Sequence, residues 1–140
     1  MKLAQQVCSL DLAKKLKALG VKQESLFWWN EYDEFDSDDW REHKIKNYRK
    51  RTTLKPYAVQ NTSYPECGEA VKNAVNISAF TVGELGKIEL RHFKLPYWHE
   101  GNGWQVPVMQ KAGIYHRCEN ECDARAKMLI YLIENGIVKP

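Results

Sequence analysis

The stretch "NECDARAKMLIYLIENG", residues 120–136, constrains this chain more than any other. Asn120 stands where a side chain can accept from the free amides of a first helical turn, and Gly136 supplies the stop. Between them, residues 128–133 are apolar on every side, so the helix is buried around most of its circumference. Such a helix has to be wrapped by other elements, and the rest of the chain must supply them.

"SLDLAKKLKALG" reads as an amphipathic helix. Leu12, Leu16 and Leu19 recur at helical spacing with Ala13 beside them, while Lys14, Lys15 and Lys17 face out. Ser9 is expected to cap it through its hydroxyl, and Gly20 to end it. The "SLFWWNEY" that follows is aromatic and lacks a helical period, so residues 26–32 are expected to form a strand. Alternation puts Leu26, Trp28 and Tyr32 on one face, Phe27 and Trp29 on the other. Both faces then need a cover: the terminal helices for one, the middle of the chain or a partner chain for the other. Residues 26–29 are expected in the core.

In "NISAFTVGELGKIEL" a short strand over residues 77–80 meets Thr81, with Glu84 three positions on, the spacing of a capping box. Gly83 and Gly86 each weaken that helix by about 1 kcal/mol relative to alanine, so it should be brief. "LPYWHEGNGWQVPVMQKAGIYHRC" suggests antiparallel strands around the turns "EGNG" and "KAG". The segment from Leu54 to Gly68 holds two prolines among turn formers and reads as irregular. Strands beside helices without regular alternation indicate an α+β fold. The expectation is an antiparallel sheet packed by an N-terminal and a C-terminal helix, in a single domain over residues 1–140. Residues 33–76 form a long, charged, irregular insert between strands.

Charge is distributed unevenly in that insert. Residues 33–39 carry five carboxylates and no cation, whereas residues 41–55 carry seven Lys or Arg against one Glu. The formal net charge is only +3, and adjacent blocks of opposite sign can neutralise each other across a turn. No apolar run approaches the ~18 residues of a membrane span. "MKLAQQVCSL" has neither a long apolar run nor a small-residue cleavage site, so a secretory leader is not expected. Four cysteines without a leader read as reduced thiols in a cytoplasm.

Three segments, "CSLDLAKKLKALGVKQESLFWW", "ISAFTVGELGKI" and "ENECDARAKMLIYLIENGIV", resemble a family of small phage and prophage proteins of gut bacteria. The resemblance covers residues 8–29, 77–88 and 119–138. It implies a phage-derived accessory protein in the host bacterial cytoplasm and carries over no catalytic residue. Members of that family run from the aromatic strand to the "ISAFT" element through a short hairpin, so residues 30–76 are the main departure. Position 83 is Gly where Ala is usual. An activity particular to this chain belongs in the long segment.

The segment's strongest chemistry lies in "WREHKIKNYRKRTTLKPY". Trp40, Tyr48 and Tyr57 alternate with Arg41, Lys46, Arg49, Lys50 and Arg51, which sets stacking surfaces beside phosphate-pairing cations. The candidate binding residues are therefore Trp40, Lys46, Tyr48, Arg49, Lys50, Arg51 and Tyr57. The ligand classes are a host or phage protein and a phosphorylated ligand, either nucleic acid or a cyclic nucleotide. The competing structural reading is a solvated basic strand facing the acidic run.

Other constellations are weaker. His116, Cys118 and Cys122 give H-x-C-x3-C, only part of a zinc spacing, with His43, His92, His99 and Cys67 elsewhere. The acidic run lacks the glycine and the twelfth-position glutamate of a calcium loop. His99 and Glu100 sit at an expected hairpin tip. No nucleophile elbow, Walker loop, dinucleotide fingerprint or zinc-protease motif occurs, and no cofactor or metal is expected. The function expected is binding that blunts a bacterial anti-phage defence system. The alternative is a metal-dependent nuclease or hydrolase using Asp36, Asp38 and Asp39 with Lys44. Apolar groups on both strand faces and around the closing helix lead us to expect a symmetric homodimer.

Overall fold

The computed structural model describes residues 2–35, 48–64, 68–88, 97–101, 103–105 and 118–140. After a single 3-10 turn (Leu3–Gln5), the elements are α1 (Leu10–Ala18), β1 (Trp28–Phe35), β2 (Tyr48–Lys55), β3 (Thr62–Tyr64) and β4 (Gly68–Ser78). They continue with α2 (Val82–Lys87), β5 (Tyr97–His99), β6 (Gly103–Gln105) and α3 (Glu121–Glu134). The first four strands make an antiparallel sheet in the order β2-β1-β4-β3, and β5 and β6 form a separate hairpin. The architecture is α+β, with helices from both ends of the chain on an antiparallel sheet.

α3 is the hub. Its Met128, Leu129, Ile130 and Leu132 are buried, and they are shared between two clusters. Leu129 and Ile130 meet Leu16, Ile77, Phe80 and Leu85, while Met128 and Leu132 meet Cys118 and Ala124. The Asn120 side chain accepts from the Asp123 amide at 2.7 Å, as its cap position requires. α1 is held differently from the expectation. Ser9 has the extended backbone of an N-cap, but its hydroxyl makes no capping bond. Instead its amide donates to Asp123 Oδ1 at 2.7 Å, which docks the start of α1 onto the first turn of α3. Gly20 ends α1 with φ +87°, the left-handed conformation that glycine adopts without a Cβ clash.

β1 lies between β2 and β4 and is covered on both faces. On the helix side, Trp29 packs against the larger cluster and its indole N–H donates to the Cys8 carbonyl at 3.0 Å. Glu31 on the same face pairs with Lys14 of α1 at 2.9 Å. On the opposite face, Asn30 is fully buried. The chain leaves β2 at one sheet edge and re-enters at β3 on the other, so residues 56–61 must cross β1 and β4. Two asparagines placed side by side in register, Asn30 and Asn76, hold this strap. Val59 N–H donates to Oδ1 of both at 3.0 Å, Asn76 Nδ2 donates to the Val59 carbonyl, and Asn30 Nδ2 donates to the Tyr57 carbonyl.

Three expectations are corrected here. Residues 33–76 are not an irregular insert: β1 reaches Phe35, and β2, β3 and most of β4 lie inside that stretch. Irregular chain is confined, among the described residues, to the strap. Residues 77–80 are not a separate short strand, because Ile77 and Ser78 end the long β4 and the next two residues lead into α2. Leu26 is not core. It precedes β1 and is 69% exposed, since the strand begins two residues later and no element covers it there. The capping box is present: Thr81 Oγ1 accepts from the Glu84 amide and Glu84 Oε2 accepts from the Thr81 amide. The same carboxylate also accepts from the Leu26 amide at 2.8 Å and from the Ser25 hydroxyl at 3.0 Å, tying the approach to β1 onto α2.

Candidate functional site

The antiparallel register of β1 and β2 decides what the charged blocks do. Asp33 lies opposite Lys50 and Glu34 opposite Arg49, with Tyr32 opposite Arg51. Cross-strand partners stand about 5 Å apart at Cβ, close enough for opposite charges to attract. Arg51 reaches diagonally to Glu34, Nε to Oε2 at 2.8 Å, on the strap side of the sheet. The next strand adds to the pattern. β4 slips register opposite β1 between Glu31 and Asp33, and at this bulge Asn73 adopts φ +53°. Asparagine tolerates that left-handed conformation better than most residues, and Asn73 Nδ2 uses it to donate to Asp33 Oδ2 at 2.9 Å. Lys72, opposite Asp33, places its ammonium 3.5 Å above the Tyr48 ring.

Tyr48, Arg49, Lys50 and Arg51 therefore share one strand, as the sequence suggests. Arg49, Lys50 and Arg51 are exposed, and a shallow cleft of about 320 Å³ opens between Tyr32, Asp33, Lys50, Arg51 and Asn73. Tyr57 is not with them. It lies past the other end of β2, in the strap, 57% exposed, with the Lys55 ammonium 5.4 Å from its ring. The two ends of β2 are roughly 23 Å apart at ~3.3 Å per residue, so no single nucleotide spans Tyr48 and Tyr57. Trp40 and Lys46 lie outside the described residues, as do Asp36, Asp38, Asp39 and Lys44 of the hydrolase alternative.

The competing reading, a basic strand facing the acidic run, describes Asp33 and Glu34, whereas Glu31, Lys72 and Asn73 were not anticipated as neighbours of that strand. The acids were visible as a block, but their pairing depends on register, and Lys72 and Asn73 carry no local signal at all. One signal could have been used. Asn30 interrupts the face shared by Trp28 and Tyr32, and a polar residue on a buried face needs a hydrogen-bonded partner.

The three cysteines among the described residues are built as core, and Cys67, His43 and His92 lie outside those residues. Cys8, Cys118 and Cys122 are free and buried. Burial pushes the Cys8 thiol up to about 12 and the Cys122 thiol up to about 11, and it raises Cys118 as well. Cys122 Sγ donates to the Gln6 carbonyl. Among the described residues no three His, Cys, Asp or Glu side chains gather as metal ligands, and His116 lies outside them. His99 and Glu100 are exposed at the β5–β6 turn, where His99 Nδ1 donates to the Glu100 carbonyl at 2.8 Å. Among the described residues no helix is long and apolar enough to cross a membrane. No protein-family model matches the chain, and no curated protein or solved structure matches it.

Proposed function

We propose that this protein is a phage-derived accessory protein that works in the host cytoplasm by binding a host protein, and so blunts an anti-phage defence system. The resemblance of its three segments to phage and prophage proteins supplies the setting. The observation that carries the choice of a protein over a nucleic acid is the pairing of β2 cations with β1 carboxylates. A phosphate chain on the strap side would meet Glu34 beside Arg49 and Arg51, and one on the helix side would meet Asp33 beside Lys50. The favourable field of the basic block is then largely cancelled, whereas nucleic-acid affinity rests on phosphates that cations neutralise. A face with ordered charges of both signs suits a protein, because complementary charge fixes orientation and rejects wrong partners. The homodimer remains a proposal without help from α3, which this chain already covers.

Expression in a panel of bacterial strains, each carrying one defence system, tests the reading. Phage plating should rise on a specific member of the panel, and Lys50→Glu should remove the effect while the purified variant melts normally. Unchanged plating across the panel would refute it. In parallel, a labelled single-stranded oligonucleotide should show no salt-dependent binding. Binding that weakens steeply with salt would restore the phosphate reading.

A further inference from the structure

The turn that closes α3 joins two residues whose adjacency has a chemistry of its own. Asn135 is followed by Gly136, and both are exposed. A glycine has no Cβ to hinder its amide nitrogen, so that nitrogen can close a five-membered ring on the Cγ of a preceding asparagine. In this structure the two reacting groups are held apart. Asn135 Nδ2 donates to the Tyr131 carbonyl at 2.8 Å, which draws the carboxamide back toward the preceding turn. The Gly136 N–H donates to the Ile133 carbonyl at 3.0 Å, so the proton that must leave is engaged. Gly136 has φ +68°, and the Ile137 and Val138 amides both donate to the Leu132 carbonyl, at 2.9 and 3.2 Å. This is the left-handed glycine closure of a helix. Beyond it Val138 packs on both core clusters, and a Cβ at Gly20 would stand 3.7 Å from Pro140 Cγ. One turn thus protects Asn135 and anchors residues 137–140 against α1 and α3.

We propose that Asn135 is a site of spontaneous deamidation, gated by opening of this turn, and that the modified chain releases residues 137–140. On opening, the Gly136 nitrogen gives its proton to hydroxide and bonds Asn135 Cγ. The Cγ–Nδ2 bond breaks, ammonia leaves with a proton from water, and a succinimide remains. Water then adds at one of the two ring carbonyls and the ring opens, leaving aspartate or an isoaspartyl linkage at position 135. No oxidant, reductant or cofactor enters. Either product damages the closure. A carboxylate cannot donate to the Tyr131 carbonyl as the amide does. It also sets a negative charge at the helix C-terminus, where the last turn of α3 holds no basic residue to offset it. The isoaspartyl linkage adds a methylene to the main chain, which carries the Gly136 and Ile137 amides out of reach of the Ile133 and Leu132 carbonyls. The change runs one way, because the ammonia is lost to solvent.

The full chain is held at physiological temperature in mildly alkaline buffer beside a synthetic peptide of residues 131–140, too short to hold a helix in water. Samples taken at intervals are mapped by mass spectrometry, which separates Asn135 from the second Asn-Gly pair, Asn102 and Gly103. Asn135 should convert in both, about tenfold to a hundredfold more slowly in the folded chain, because a few hydrogen bonds must open first. Unfolding urea should bring the chain to the peptide's rate. Conversion at the peptide's rate without urea overturns the gate. Slowing well beyond about a hundredfold overturns the site. Release is read separately on Asn135→Asp, which carries the product from the start. Hydrogen exchange at the Ile137 and Val138 amides should speed by about tenfold, with no change at Leu129 and Ile130. Unchanged exchange at Ile137 and Val138 overturns the release, and so does equal speeding at all four, which would mark general destabilisation.

Discussion

The asparagine pair beneath the strap gives the sharpest thermodynamic test. Val59 N–H is shared between Asn30 Oδ1 and Asn76 Oδ1, each at 3.0 Å. Removing either side chain leaves this donor one acceptor, so each single variant loses only its private bonds. For Asn30→Ala these are the bonds from Nδ2 to the Tyr57 and Trp28 carbonyls, at 3.3 and 3.1 Å. At ~0.5–1.5 kcal/mol per net bond, plus a small cavity at a fully buried position, the cost is about 2–3 kcal/mol. Asn76→Ala loses the bond from Nδ2 to the Val59 carbonyl at 2.9 Å, about 1–2 kcal/mol. The double variant does more than add these, because Val59 N–H then has no acceptor, and an orphaned donor costs a further ~1–3 kcal/mol. Urea unfolding followed by fluorescence measures all three, read as shifts in midpoint at constant slope. The double variant should be less stable than the sum by about 1 kcal/mol or more. Additivity within ~0.5 kcal/mol would show that the two side chains do not share the donor, and would refute the clamp.

Other consequences follow from single positions. Among the described residues a Cβ at Gly83 would find only Thr81 Oγ1, at 4.0 Å, so Gly83→Ala should stabilise α2 by about 1 kcal/mol in thermal melts. Gly103→Ala should do the opposite, since Gly103 has φ +69° and its Cβ would sit 2.7 Å from the Cys118 carbonyl, where Trp104 N–H also bonds. Raising pH should destabilise the fold progressively from near 9.0 toward about 12. Cys8 and Cys122 stay protonated when folded but ionise at their ordinary value when unfolded, so the unfolded state gains by losing protons there. Cys8→Ser and Cys122→Ser should each flatten that decline in pH-dependent urea melts. Burial alone would raise the Glu84 carboxyl, but hydrogen bonds from the Thr81 and Leu26 amides and the Thr81 and Ser25 hydroxyls outweigh it and lower it. Its stabilisation is therefore present above the ordinary value of 4.5 and is lost as pH falls through the folded value. Glu84→Gln should show a weaker acid dependence than the parent in the same melts.

The residues themselves determined the elements whose logic is local. The Thr81–Glu84 box, the Asn120 cap, the Gly20 and Gly136 stops and the buried circumference of α3 each depend on spacings of three or four residues. Within such a distance a side chain meets its own backbone whatever the rest of the chain does. The strand character of β1 was legible for the same reason. What lay beyond reach was pairing. That a basic strand can face the acidic run was legible in the charge blocks, but which carboxylate stands opposite Arg49, Lys50 or Arg51 depends on a register set by contacts across the whole sheet. Turn formers in residues 56–61 signalled irregular chain, but not that it crosses the sheet onto Asn30 and Asn76. Ser9 has the composition of a cap, yet its amide goes to Asp123, more than a hundred residues away. In each case the local propensity was present and a distant partner decided its use, because cross-strand and strap contacts depend on which segments meet, and composition does not encode that order.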